Sequence, residues 1–237
     1  MAKDIPEATY LKDYRPPAYL VEQVELHFDL QPQDTIVAAE LLMRRNADHG
    51  DDQMALRLDG EDMELVSLSV DGTELSSSEY FVDQGGLSIA AVPEHFRLNI
   101  VTKIAPADNT NLEGLYQSDG IFCTQCEAEG FRRITYFPDR PDVMTTYRVT
   151  IRAAKAACPI LLSNGNLVDS GDLDNGRHYA VWDDPFPKPS YLFALVAGDL
   201  HWLEDDFVTQ SGRQVALRIY TDPGNEGRCD YAMDALK

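Results

Sequence analysis

The sequence predicts an all-β fold built of antiparallel strands, and three features carry that reading. Apolar and polar residues alternate with a period of two in short runs over residues 19–104 and again over 143–151. Turn dipeptides such as Asp71-Gly72 and Asn164-Gly165 punctuate the runs, and Asp-Gly favours a type I′ hairpin because both central residues of that turn take positive φ. Only residues 229–237 have a composition suited to a helix.

Taken in order, Leu20, Val24, Leu26, Phe28 and Leu30 share one parity, with Gln23, Glu25, His27 and Asp29 on the other. One face of this first strand is therefore expected to be buried and the other wet. Residues 36–43 read as a second strand and Met54-Ala55-Leu56-Arg57-Leu58 as a third. Residues 65–70 then meet Thr73-Glu74-Leu75 across Asp71-Gly72, and Gln84-Gly85-Gly86 separates Tyr80-Phe81-Val82 from Leu87-Ser88-Ile89 in the same way. Phe96, Leu98, Ile100, Thr102 and Ile104 alternate again, which makes six or seven strands before residue 105.

Over residues 106–141 the alternation stops, and a loop is expected that carries binding residues on the rigid sheets around it. Strands resume with Val143, Thr145, Tyr147, Val149 and Ile151, followed by a hairpin at Asn164-Gly165. The apolar run 191–196 and the alternation Val215, Leu217, Ile219 complete the β pattern. No Gly or Pro closes the final helix before the chain ends at Lys237, so the chain is expected to be part of a longer polypeptide.

Composition excludes several classes. With 237 residues, 44% hydrophobic and 25% charged, the chain is long enough for a sizeable core and is neither disordered nor collagenous. Twenty basic against 40 acidic side chains give a formal charge of −20, whose field repels phosphate backbones and anionic lipid; no nucleic-acid partner is expected. No stretch approaches the ~18 apolar residues of a membrane span, and no apolar segment follows Lys3, so neither a membrane partner nor a secretory leader is expected. Four irregularly spaced cysteines, Cys123, Cys126, Cys158 and Cys229, fit a reducing, cytoplasmic compartment better than a disulfide framework.

Several chemistries lack their residues. Cys123-Thr124-Gln125-Cys126 has C-x-x-C spacing, but a second pair for zinc is missing and no βαβ pattern follows. The acidic stretches near Asp48 and Asp172 fail as calcium loops: from Asp172 the sixth position, which needs Gly, is Arg177. None of His27, His49, His95, His178 and His201 opens an H-E-x-x-H helix; His27 and His95 lie on polar strand parities and are expected to be solvated. Neither a G-x-S-x-G elbow nor a phosphate-binding P-loop occurs.

Three segments carry a resemblance: Glu113-Gly114-Leu115-Tyr116-Gln117-Ser118, then Thr124-Gln125-Cys126-Glu127-Ala128-Glu129-Gly130-Phe131-Arg132, then Asp139-Arg140-Pro141-Asp142. In this order, and with the later run from Lys188 to Gly198, the chain resembles the N-terminal domain of the gluzincin-type zinc aminopeptidases, in particular the bacterial aminopeptidase N branch. The resemblance covers residues 10–237.

It implies a saddle-like antiparallel β-sandwich over residues 1–220, with 221–237 as a linker and the start of a catalytic domain. That catalytic domain, with zinc as cofactor, its Gly-Ala-Met-Glu-Asn loop and its H-E-x-x-H ligands, would follow Lys237, so the resemblance places neither zinc nor catalytic residues in this chain. Two positions carry over as substrate-binding, Gln125 and Glu127, because the family sends a Gln-x-Glu loop into its active site. An exopeptidase must recognise a free α-ammonium, and a carboxylate in a partly dry cleft binds it with short charge-assisted hydrogen bonds. Gln125 offers both an acceptor and a donor for holding the substrate in register.

An extended segment would place Gln125, Glu127 and Glu129 on one parity, although an ion pair of Glu129 with Arg132 or Arg133 is the favoured reading for the last. Cys123, Cys126, Tyr116, Phe131, Tyr136 and Phe137 are expected to pack behind the loop, and Arg140 to pair with a neighbouring carboxylate. The alternative to a substrate-anchoring domain is a self-standing β-sandwich that binds a peptide or protein without catalysis.

Overall fold

The computed structural model describes residues 10–50 and 55–237. Its largest sheet has eight strands in the order Asn166–Asp172, Arg177–Lys188, Thr145–Ala154, Tyr19–Asp29, Thr35–Arg45, His95–Ile104, Glu64–Val70 and Thr73–Glu74. Neighbours are antiparallel except at the centre, where Tyr19–Asp29 and Thr145–Ala154 run parallel, Val24 opposite Tyr147 and Phe28 opposite Ile151. A parallel pair needs a long crossover. The chain between these two strands supplies it, and that stretch includes the candidate loop.

Ile160–Ser163, Leu195–Gly198, Ile121–Gln125 and Gly114–Ser118 form a four-stranded sheet, while Leu56–Asp59, Gly86–Ile89 and Tyr80–Asp83 form a three-stranded one. His201–Val208 and Gln214–Thr221 pair as a separate hairpin, and the helix Asp230–Leu236 follows it. Both smaller sheets share one core with the large sheet: Leu26, Phe28, Leu41, Ile100 and Val149 pack in the same cluster as Leu58, Leu87, Leu115, Phe122 and Leu195. This is a β-sandwich, and each of these side chains contributes about 1.5–3 kcal/mol relative to exposure. At its centre Phe131 meets Phe137, Tyr147 and Phe193 edge to face, with ring centroids 5.0, 6.2 and 5.3 Å away.

Several elements differ from the sequence reading. In the first strand Leu20 does not share the buried face. The ladder shifts between Val21 and Gln23, so that Tyr19 and Val21 point inward before the bulge and Val24, Leu26 and Phe28 after it. Asn164-Gly165 is not a hairpin, because Ile160–Ser163 pairs with Leu195–Gly198 whereas Asn166–Asp172 pairs with Arg177–Lys188. Here the chain switches sheets, and Gly165 has φ +86° with Asp183 so close that a Cβ would lie 2.2 Å from its carbonyl oxygen.

Residues 106–141 contain the hairpin Gly114–Ser118 and Ile121–Gln125, not loop alone. In the run 191–196, Ser190–Leu192 is a 3-10 turn and the strand begins only at Leu195. Eight strands precede residue 105 among the described residues. His27 is half-buried rather than solvated, and burial lowers its pKa. His95 is exposed and faces Glu22 at 3.1 Å. Met54, expected in the third strand, lies outside the described residues.

Candidate functional site

The site begins with a tight turn. Asp119 (φ 48°) and Gly120 (φ 84°) join the two hairpin strands, the same dipeptide and φ signs as at Asp71-Gly72. Gln125 ends the second strand opposite Gly114. One residue earlier Thr124 anchors the strand to the neighbouring one: its Oγ1 accepts from the Leu195 N–H at 2.8 Å.

Beyond Gln125 the backbone does not stay extended, so Gln125, Glu127 and Glu129 do not share a parity. Residues 127–130 form a turn closed by the Gly130 N–H donating to the Cys126 carbonyl at 2.9 Å. The Gln125 side-chain amide donates to the Glu127 carbonyl at 3.0 Å, so the two predicted residues are brought together. The Glu127–Ala128 peptide bond is cis. Gln125, Glu127, Ala128 and Glu129 are exposed, while Cys126 is buried beneath them and burial pushes its thiol pKa up.

Two glycines let this turn sit flat on the hairpin. A Cβ at Gly130 would stand 2.3 Å from the Gln125 carbonyl oxygen, and one at Gly114 would stand 2.7 Å from the Arg133 Cβ. Phe131–Arg133 then forms a single 3-10 turn whose Phe131 enters the core. Arg133 spreads over Glu61 at 2.7 Å, Glu113 at 3.2 Å and Asp62. Arg132 pairs with Glu129 at 3.3 Å, as favoured from the sequence.

The carboxylate of Glu127 is different: among the described residues it has neither an ion pair nor a hydrogen bond. A single turn thus presents one neutralised carboxylate and one free to take a cation. Arg140 pairs with Asp142 at 2.7 Å, and Phe131, Tyr136 and Phe137 are buried as expected, whereas Tyr116 is only half-buried.

Sequence reasoning missed a buried polar hub behind the turn. Asp139, 3% exposed, accepts at Oδ2 from the Arg132 backbone N–H at 3.1 Å and from Nε at 3.2 Å. Its Oδ1 accepts from the Ser190 hydroxyl at 2.5 Å, and its own N–H donates to Asp59 at 3.0 Å. The signal is the carboxylate of Asp139-Arg140-Pro141-Asp142, but two of the partners of Asp139, Asp59 and Ser190, come from remote segments. Among the described residues no group of three or more His, Cys, Asp or Glu side chains is gathered to hold a metal ion.

The chain is a β-sandwich that carries a glycine-flanked Gln-x-Glu turn at the end of a hairpin. The chain belongs to the Peptidase M1 N-terminal domain family, whose model matches residues 22–192. It is 55% identical over its whole length to aminopeptidase N of Caulobacter vibrioides and 50% identical over 98% of its length to aminopeptidase N of Escherichia coli. The chain spans about a quarter of those relatives, 27% and 26% of their lengths.

Among solved structures, Legionella pneumophila aminopeptidase A in complex with aspartic acid superposes with a TM-score of 0.91 at 38% identity, over 96% of this chain and 27% of that one. An M1 zinc metallopeptidase from Deinococcus radiodurans superposes at 0.72 with 17% identity, over 87% of this chain and 48% of that one, a likeness of fold alone. No described helix is long and apolar enough to cross a membrane.

Proposed function

We propose that this chain is the N-terminal, substrate-anchoring part of a zinc aminopeptidase that removes N-terminal amino acids from peptides, and that Glu127 and Gln125 bind the peptide's free N-terminus. The observation that carries this reading is the contrast within one turn: Glu129 is paired with Arg132, while the Glu127 carboxylate has no partner among the described residues. An anion held on a braced backbone binds an ammonium at little ordering cost and rejects an acylated amine, which lacks the charge. Gln125 is exposed and already spends its amide on the Glu127 carbonyl, and its side-chain oxygen is the acceptor it can offer the same ammonium.

The names of the relatives support the reaction class, and the aspartic acid bound in the Legionella enzyme is itself a free α-amine. Zinc finds no donor set among the described residues. The partner that would hold it is the chain's own catalytic domain, and the role derived for this chain is to bind and orient the amine. Four free cysteines and a charge of −20 suit a cytoplasmic enzyme acting on peptides rather than on nucleic acid or membranes.

The test is Glu127→Ala in the full-length enzyme. KM for an aminoacyl anilide is expected to rise and kcat/KM to fall by about tenfold or more, the loss of a charge-assisted contact. Unchanged kinetics would remove Glu127 from the site.

A further inference from the structure

The turn that carries Glu127 rests on a largely buried scaffold centred on Asp139, which itself lies beneath the surface Glu127 occupies. Arg132 is held by three bonds to Asp139: the backbone N–H and Nε to Oδ2, and an Nη to the Asp139 carbonyl at 3.2 Å. The same guanidinium reaches back to Glu129 at 3.3 Å, two residues beyond Glu127. Asp139 is fixed in turn by Ser190 at 2.5 Å and Asp59 at 3.0 Å, and Asp59 pairs through its backbone with Phe137. The Asp139 side chain is 1% exposed and that of Arg132 15%, so the hub is shielded from the solvent that weakens surface ion pairs. One carboxylate therefore fixes the exit of the turn through the Arg132 backbone and its middle through the Arg132–Glu129 pair, while the Glu127 carboxylate stays without a partner among the described residues.

We propose that Asp139 is a positioning residue for Glu127, acting through Arg132, and that it sets affinity for the substrate's ammonium without touching substrate. This rests on the reading of Glu127 as the amine anchor. A buried carboxylate with three donors on its two oxygens has one geometry available to it. An amide at 139 can keep its oxygen toward Arg132 and donate its NH2 to the Ser190 hydroxyl, but it loses the negative charge, so the charge-assisted hold on the Arg132 backbone and guanidinium is weakened. The turn then samples positions in which Glu127 is misplaced, and because the amine is held in ground and transition states alike, the loss falls on KM more than on kcat.

The experiment is a double-mutant cycle in the full-length enzyme, with wild type, Glu127→Ala, Asp139→Asn and the double variant assayed on an aminoacyl anilide after thermal unfolding shows each to be folded. Asp139→Asn is expected to raise KM about tenfold with kcat within about twofold, a coupling in the range found for residues of one hydrogen-bonded network. In the Glu127→Ala background it should change KM no further. An equal rise in both backgrounds would show that Asp139 is structural only and overturn the proposal while leaving Glu127 as the anchor. No effect of Glu127→Ala would instead overturn the underlying reading.

Should Asp139→Asn fail to fold, Ser190→Ala takes its place in the cycle. It removes the donor to Oδ1 and keeps the charge, with an expected rise in KM of about threefold. No rise with Ser190→Ala would contradict the proposal.

Discussion

Gly130 packs directly beneath the carbonyl oxygen of Gln125, closer than any side chain allows: a methyl group at 130 would lie 2.3 Å from that oxygen. The backbone at Gly130, with φ −80° and ψ −18°, is open to every residue. Glycine is required there for space and not for its dihedral freedom. Gly130→Ala should therefore cost about 1–3 kcal/mol, as overpacking does, and raise KM along with it. Gly120 is the opposite case, with φ +84° and nothing within 4 Å of an added Cβ, so Gly120→Ala should cost about 1 kcal/mol of conformational strain and leave KM unchanged. Urea unfolding and steady-state kinetics on the two variants check both.

The thiols should divide by burial. Cys126 and Cys158 are 3% and 2% exposed and burial raises the pKa of both, whereas Cys123 and Cys229 are partly exposed. A thiolate-directed reagent should modify Cys123 and Cys229 in the folded protein and reach Cys126 and Cys158 only on unfolding. Peptide mapping of a labelling time course reads this out, and early modification of Cys126 would show that the turn above it opens.

Acid should loosen the three-stranded sheet at one identifiable pair. Arg57 donates to both oxygens of Asp83, at 2.7 and 2.9 Å, and the Gly85 N–H adds a third bond at 2.8 Å. The Arg57 hydrogen bond, followed by that from Gly85, holds the Asp83 carboxyl at about 2 instead of its ordinary 3.8. Since the folded value is the lower one, the pair's contribution is whole above pH 3.8 and is lost as pH falls through about 2. The carboxylate is solvent-exposed and the effect correspondingly small. Asp83→Asn should flatten the fall of stability with pH in this window, measured by denaturant titration at stepped pH, and a curve parallel to wild type would contradict it.

Strands buried on one face were legible because burial imposes a period of two. Phe96, Leu98 and Ile100 are read correctly for that reason, and Asp71-Gly72 and Gln84-Gly85 mark real hairpins. The strand His201–Val208 left no such trace, since almost all of its residues are exposed on both faces. The bulge beside Glu22 and the sheet switch at Gly165 depend on which strands pair across long separations, which local pattern does not encode. Asp119-Gly120 did carry a hairpin signal as strong as Asp71-Gly72, but its flanking strands are short and lack alternation. Gln125 and Glu127 were reached through the family motif, whereas the Asp139 hub joins positions 59, 132, 139 and 190 and exists only once the chain is folded.

The most direct test of the central claim, that the Glu127 turn recognises a free amine, is a competition measurement with the full-length enzyme. Inhibition constants would be compared for one short peptide with a free N-terminus and with the same N-terminus acetylated, on wild type and Glu127→Ala. A preference for the free amine in wild type that shrinks by about tenfold or more in the variant, through loss of affinity for the free peptide alone, is the predicted result. An undiminished preference in Glu127→Ala would contradict the account and move amine recognition to another part of the enzyme.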